Sequence, residues 1–237
     1  MKKEILTIIP ARGGSKGVPR KNIKILGGKP LIQYTLDALK ESGVIGRIVV
    51  STEDSEIADI VKSLGIDVVY RPEELAGDTV LTEPVMEHVV DYLKETEGYE
   101  PEYVSLVQCT SPFLSSDVIR KAVSKVLDDG FDSCITVFEP DGYEYKWKKD
   151  GDVFIPDHDV ENRPRRQDLN LPHHENGAFY ITKRELFKET LNRFGGNKAR
   201  ICAVEMSQRD SLQIDSEYDF YLAEKYIEYI NSLQNII

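Results

Sequence analysis

Between Glu4 and Asp37 the chain carries six basic residues (Arg12, Lys16, Arg20, Lys21, Lys24 and Lys29) and no acidic one. An even spread of acid would place roughly five Asp or Glu residues there, and the protein as a whole has a formal net charge of -11. A local reversal of charge in an acidic protein points to an anionic ligand. The stretch "IIPARGGSKGVPRKN" (8–22) has the chemistry for one. Gly13, Gly14 and Gly17 let backbone N–H groups approach an oxyanion, while Arg12, Lys16 and Lys21 supply charge. A triphosphate is the natural fit. Two familiar phosphate motifs are excluded: "GGKP" near 27–30 does not complete a P-loop, and no GxGxxG follows the first apolar run.

"ENRPRRQD" (161–168) is a second basic island, with Arg163, Arg165 and Arg166 in otherwise acidic surroundings. Arginine's planar fork suits carboxylates and phosphates, and a salt-bridged surface loop would show the same charges. In "HHENGAFYI" (173–181), His173 and His174 are adjacent, point in different directions in most backbones and have no further His at ligand spacing; they read as surface or packing residues. "RDSLQIDSEYDF" (209–220) offers Asp210, Asp215 and Asp219. Ser216 to Asp219 has the form of a capping box, which assigns Asp219 to a helix start. Asp215 lies just outside that helix, either as a Mg²⁺ ligand or as an acid favoured by the helix dipole.

The elements that must position these residues alternate along the chain. Strand patterns at 4–10, 46–52, 67–70, 103–108 and 132–138 are separated by helical patterns at 31–43, 55–65, 83–96 and 115–130. This order implies a parallel sheet with helices on both faces. Residues 139–175 break the alternation, and an irregular stretch of that length reads as an extension with a role of its own. The pattern resumes with strands at 177–182 and 199–206, a helix near 183–192 and a terminal helix from about Ser216. In such α/β sheets ligands bind beyond the carboxyl ends of the strands. "PARGGSKG", "STED", "RPEELAGDT" and "QCTSPF" all follow strands in this way.

Composition narrows the function class. With 41% hydrophobic and 30% charged residues the chain reads as an ordinary globular protein of one domain, 1–237. No apolar run approaches the ~20 residues of a membrane span. "MKKEILTIIPARGG" lacks the apolar core of a signal peptide, so the expected location is cytoplasmic. Cys109, Cys134 and Cys202 are too few and too widely spaced for a disulfide framework or a zinc site. A pI near 5.0 argues against nucleic acid as a partner.

"ARGGSKGVPRKN", "STED", "RPEELAGDT", "QCTSP", "RPRRQD", "ENGAFYI" and "DSLQIDSEYDF" resemble, in order, the motifs of the CMP-sialic acid synthetases (N-acylneuraminate cytidylyltransferases), from about residue 5 to 225. The resemblance implies a Rossmann-like α/β fold with a mostly parallel sheet, and an extension at about 139–175 that exchanges contacts in a homodimer. It implies CTP as co-substrate, Mg²⁺ as cofactor and a nine-carbon acidic sugar as acceptor. By the same resemblance Arg12, Gly13, Gly14, Ser15, Lys16, Asn22, Arg71 and Asp78 bind nucleotide, with Arg12, Lys21, Arg71 and Asp215 as the catalytic group. Gln108, Thr110, Ser111, Asn176 and Tyr180 would line the sugar pocket, and Arg165, Arg166 and Gln167 would reach the neighbouring subunit's site.

The chain departs from the family pattern in two places. Gln213-Ile214-Asp215 stands where the family shows Asp-x-Asp, which makes Gln213 with Asp215 the expected metal pair, held more weakly for want of one charge. Glu53 stands where the family commonly has Asp. Two other readings belong beside this one: an enzyme activating legionaminic, pseudaminic or Kdo-type acids, and a nucleotide-binding regulatory protein weakened in catalysis through Gln213.

Overall fold

The computed structural model describes residues 4–142, 146–163, 165 and 172–234. In chain order the elements are β1 (Ile5–Pro10), a hairpin of β2 (Ile25–Leu26) and β3 (Lys29–Pro30), α1 (Leu31–Ser42), β4 (Arg47–Thr52) and α2 (Ser55–Ser63). Then come β5 (Asp67–Tyr70), α3 (Thr82–Glu97), β6 (Tyr103–Val107), α4 (Ser116–Leu127) and β7 (Ser133–Phe138). After a second hairpin, β8 (Trp147–Asp150) and β9 (Val153–Pro156), follow β10 (His174–Lys183), α5 (Arg184–Thr190), β11 (Ile201–Glu205) and α6 (Glu217–Gln234).

Seven strands form one sheet in the order β11-β7-β10-β6-β1-β4-β5. Neighbours are parallel except at β10, which runs antiparallel to both β6 and β7. The sheet is therefore mostly parallel, as expected, with β10 as the strand that runs the other way. The cause lies in the connection. A helical crossover returns the chain to the opposite end of the sheet, so the next strand is parallel; β10 is entered from the extension after β7, at the carboxyl end, and runs back. Its first residues thus lie beside the carboxyl ends of β6 and β7.

Alternating side chains of the central strands feed two cores. Ile5 and Ile9 of β1 join Leu36 and Leu39 of α1, Ile57 and Val61 of α2, and Ile119 and Val123 of α4 on one face. Leu6 and Ile8 join Met86, Val89 and Leu93 of α3 and Phe187 of α5 on the other. A smaller cluster of Val18, Leu26, Leu31, Ile214, Phe220 and Ala223 docks α6 against the loop after β1. Both halves of the capping box at α6 are formed: Asp219 Oδ2 accepts from Ser216 N at 2.8 Å, and Ser216 Oγ accepts from Asp219 N at 3.2 Å.

Candidate active site

The chain order reverses at β1, whose neighbours are β4 on one side and β6 on the other. Ligand crevices in such sheets open at this point, beyond the carboxyl ends. A cleft of about 350 Å³ lies there. Its walls come from the loop after β1 (Arg12, Ser15, Lys16, Lys21, Asn22), the residues after β5 (Arg71, Asp78), the start of α3 (Thr82, Val85), the residues after β6 (Gln108, Cys109, Thr110) and Asp215. The structure brings together ten of the residues expected at the site, drawn from segments up to 203 positions apart in the chain (12 to 215).

The glycine loop is held by close approach. A Cβ at Gly17 would run into the carbonyl oxygen of Asp215, so only glycine lets the loop lie against the segment before α6. Lys21 Nζ reinforces the same contact, donating to the Ile214 carbonyl oxygen at 2.6 Å and to Asp215 Oδ1 at 3.1 Å. Asn22 is buried and donates through Nδ2 to the Arg12 carbonyl oxygen at 2.9 Å, which shapes the loop from within. Gly13 N donates to Glu53 Oε1 at 2.6 Å, so that N–H is already committed within the protein. Gly14 has open space around its Cα.

Glu53 is the residue that the sequence left without a role. Its other oxygen accepts from Arg71 Nε at 3.0 Å, so one carboxylate joins the glycine loop to the strand-end arginine. The Arg71 side chain is only 4% exposed. Burial pulls its guanidinium below the usual arginine range and the Glu53 charge opposes that pull. Arg71 Nη2 is buried without a hydrogen-bond partner among the described residues. The signal for Glu53 was its place directly after β4, among loops at the same edge.

Asp78 bridges two of the cations, lying 2.7 Å from Arg12 Nη1 and 2.6 Å from Lys16 Nζ. The ammonium of Lys16 and the guanidinium of Arg12 hold its carboxyl below the ordinary carboxylate range. An acid thus sits against the groups expected to meet phosphate.

Beside the cleft lies a cluster of uncharged polar groups. The Thr110 hydroxyl is 3.3 Å from both Gln108 Oε1 and Gln213 Oε1. Gln213 Nε2 donates to Ser111 Oγ at 3.2 Å and to the Asn176 carbonyl oxygen. The Asn176 side chain is turned into the core, where Oδ1 accepts from Thr136 Oγ1 at 2.6 Å and Nδ2 donates to Ser211 Oγ at 2.9 Å. The Tyr180 hydroxyl donates to Glu175 Oε1, and its ring packs edge-on against Phe194. Arg165 lies in the extension, and Arg166 and Gln167 lie outside the described residues.

Asp215 has the character of a magnesium ligand: a hard carboxylate oxygen, 73% exposed, on the cleft wall. Gln213 differs from the expected pair in that its amide oxygen and nitrogen are both bonded to protein groups. A separate exposed group, Glu139, His173 and Glu205, brings ligand atoms within 4.8 Å of one another. His174 packs edge-on against Phe138.

A family model described as "Cytidylyltransferase" matches residues 6–235. N-acylneuraminate cytidylyltransferase A of Danio rerio is 34% identical over 230 residues, covering 94% of this chain and 50% of that protein. Pseudaminic acid cytidylyltransferase of Campylobacter jejuni is 32% identical over 180 residues, covering 74% of this chain and 77% of that one. Among solved structures, a CMP:2-keto-3-deoxy-manno-octonic acid synthetase complexed with CTP superposes with a TM-score of 0.70 at 14% identity, covering 95% and 99% of the two chains, a likeness of fold. The chain spans about half the length of several curated relatives it matches.

Proposed function

The chain belongs to the cytidylyltransferase family, and from that premise we propose that it joins CTP to a sialic acid-type nonulosonic acid, giving the CMP-sugar and pyrophosphate. The observation that carries the reading is the cleft in which Arg12, Lys16, Lys21 and Arg71 converge, with Arg71 Nη2 lacking an acceptor among the described residues. A triphosphate placed there would pair with the cations of the cleft and displace Asp78 from Arg12 and Lys16. The anomeric hydroxyl of the acceptor attacks the α-phosphorus, the bond to the β-phosphate oxygen breaks, and the hydroxyl proton is released. Such a transfer is mainly a matter of positioning and charge neutralisation. Arg12, Ser15, Lys16 and Lys21 orient the phosphates, Arg71 faces the charge that develops, and Asn22 keeps the loop in shape. Mg²⁺ bound through Asp215 and phosphate oxygens would neutralise further charge.

On this reading Gln108 and Thr110, which line the cleft, meet the acceptor, while Ser111, Asn176 and Tyr180 are buried and would act from behind them. The acceptor class is supported by the activities of the relatives, which include N-acylneuraminate and pseudaminic acid cytidylyltransferases. A homodimer with shared sites is part of the proposal, with Arg165, Arg166 and Gln167 reaching across. Its support is the β8–β9 hairpin, which leaves the apolar side chains of Trp147, Val153, Phe154 and Ile155 exposed on its two faces. No described helix is long and apolar enough to cross a membrane. A cytoplasmic site of action accords with Cys109, Cys134 and Cys202 being free thiols.

The test is pyrophosphate release from CTP and Mg²⁺ with N-acetylneuraminate, legionaminic, pseudaminic and Kdo-type acids in parallel. Turnover favouring a nine-carbon acid is expected. Nucleotide binding with no turnover on any sugar would favour the regulatory reading, and preference for Kdo would move the acceptor to the eight-carbon class.

A further inference from the structure

Gln213 ties three separate segments together at the edge of the cleft. Its amide oxygen shares the Thr110 hydroxyl with Gln108 Oε1, each at 3.3 Å, and its two amide hydrogens go to Ser111 Oγ at 3.2 Å and to the carbonyl oxygen of Asn176. The last acceptor is decisive. A backbone carbonyl can only accept, so the group facing it must donate, and a carboxylate in the place of Gln213 would set oxygen against oxygen. The backbone of β10 also presses close here: Gly177 has φ +69°, and a Cβ on it would meet Gln213 Nε2. Ser111 and Asn176 are both buried, so a charge at this point would be costly. Two residues on, Asp215 is exposed on the cleft wall, and between them the buried Ile214 donates its N–H to the Thr110 carbonyl oxygen at 2.9 Å.

We infer that Gln213 is a positioning residue of the acceptor subsite and that the metal draws no ligand from it. The amide fixes Thr110 and Ser111 of the loop after β6 against Asn176 and Gly177 of β10. It thereby presents the uncharged Gln108 amide and Thr110 hydroxyl, both on the cleft wall, to the polyhydroxylated, neutral part of a sugar acid. An amide instead of a carboxylate at 213 then changes what the position does. It supplies acceptor geometry, and Asp215 alone supplies protein charge to the cation. The inference rests on the reading of the chain as a CTP-dependent sugar-acid transferase.

Kinetics and metal binding of Gln213→Glu and Gln213→Asn test it, with N-acetylneuraminate and CTP as substrates and Mn²⁺ as a spectroscopic probe in the presence of CTP. Gln213→Glu keeps length but loses both amide hydrogens, and Gln213→Asn keeps the amide but falls a methylene short. Both are expected to raise the acceptor KM about tenfold or more, as loss of buried hydrogen bonds should, while the CTP KM stays within about twofold, the signature of a change confined to one substrate. Mn²⁺ affinity should be unchanged in both and weakened in Asp215→Asn. Should Gln213→Glu fail to fold by circular dichroism, Gln213→Asn and Ser111→Ala give the same split. An active wild type whose variants bind Mn²⁺ more weakly or more tightly with unaltered acceptor KM overturns the inference alone. A wild type silent on every sugar removes the parent reading and the inference with it.

Discussion

Lys21 Nζ stands 3.1 Å from Asp215 Oδ1, joining the glycine loop to the segment before α6 across 194 positions of sequence. The carboxylate is exposed while the lysine side chain is 13% exposed, so the pair places one acid where a metal-bound triphosphate would meet both. An exposed carboxylate contributes little to stability. We expect Asp215→Asn to keep the wild-type melting temperature and to lose most turnover, with a rise in the Mg²⁺ concentration needed for half-maximal rate. Thermal melts and Mg²⁺ titrations of pyrophosphate release check both halves. Unchanged titrations would place the metal elsewhere.

Asp78 is ion-paired with Arg12 and Lys16, so on the proposed function it would compete with the triphosphate for them. Removing its charge should relieve the competition without unfolding anything, because exposed ion pairs contribute little. Calorimetry is therefore expected to show Asp78→Asn binding inorganic triphosphate severalfold more tightly than wild type. Lys16→Ala should weaken it about tenfold or more, as befits loss of a charge-assisted hydrogen bond. Weaker triphosphate binding by Asp78→Asn would assign that carboxylate a direct role in holding the nucleotide.

The fold was legible in the sequence wherever periodicity reports burial. Leu31, Ile32, Thr35, Leu36 and Leu39 read as a helix stripe and are all buried in α1, and the apolar run 5–9 is the buried body of β1. The direction of β10 was not legible, because GAFYIT has the same pattern in either orientation and only the irregular connection before it decides. That connection also hid the β8–β9 hairpin, whose outward Trp147, Val153 and Phe154 follow no inside-outside alternation within one chain. At the site, the acid-free gap marked Arg12, Lys16 and Lys21 of the cleft by charge, but not Arg71, and its other cations Arg20, Lys24 and Lys29 pair with Asp54, Glu217 and Asp37. Glu53 and Gln213 were known only as departures from a pattern, since their partners (Gly13, Arg71, Ser111 and the Asn176 carbonyl) become neighbours only through the sheet.

The exposed hairpin gives the dimer proposal a direct test. Phe154→Asp replaces one of its exposed apolar side chains with a charge and should shift sedimentation from dimer to monomer with loss of activity. Sharing of sites has its own measurement: inactive Arg166→Ala and Lys16→Ala subunits, mixed with exchange confirmed, should recover a fraction of wild-type rate. Recovery to no more than the sum of the parents would place Arg166 in its own subunit's site or outside any site.

Cys109 lines the cleft yet is buried, and burial pushes its thiol up to about 12. The reactive form is the thiolate, so at pH 8 almost none is present and rates should rise only as pH climbs toward that value. Iodoacetamide at pH 8 is expected to leave Cys109 unmodified by mass spectrometry in the folded protein and to label it fully in urea. Rapid labelling of the native protein at Cys109 would show the cleft to open more widely than this structure does.

Glu53 separates the effects of charge and reach. It holds Gly13 N and Arg71 Nε on its two oxygens, and Arg71 has no solvent to fall back on. Breaking a buried pair from one side leaves an uncompensated charge, at a cost of about 3 kcal/mol or more, so Glu53→Ala should lower the urea midpoint markedly. Glu53→Gln keeps the length but offers only one acceptor to two donors and no charge to Arg71. Glu53→Asp keeps the charge but is a methylene short of spanning both. Since the dominant penalty is an unpaired buried guanidinium, Glu53→Asp should retain more stability than Glu53→Gln, while both raise the CTP KM because the glycine loop is no longer fixed to Arg71. Urea unfolding followed by fluorescence decides the order. If Glu53→Asp proves the weaker fold, reach outweighs charge, and the longer side chain at this position serves chiefly to span the gap between the two loops.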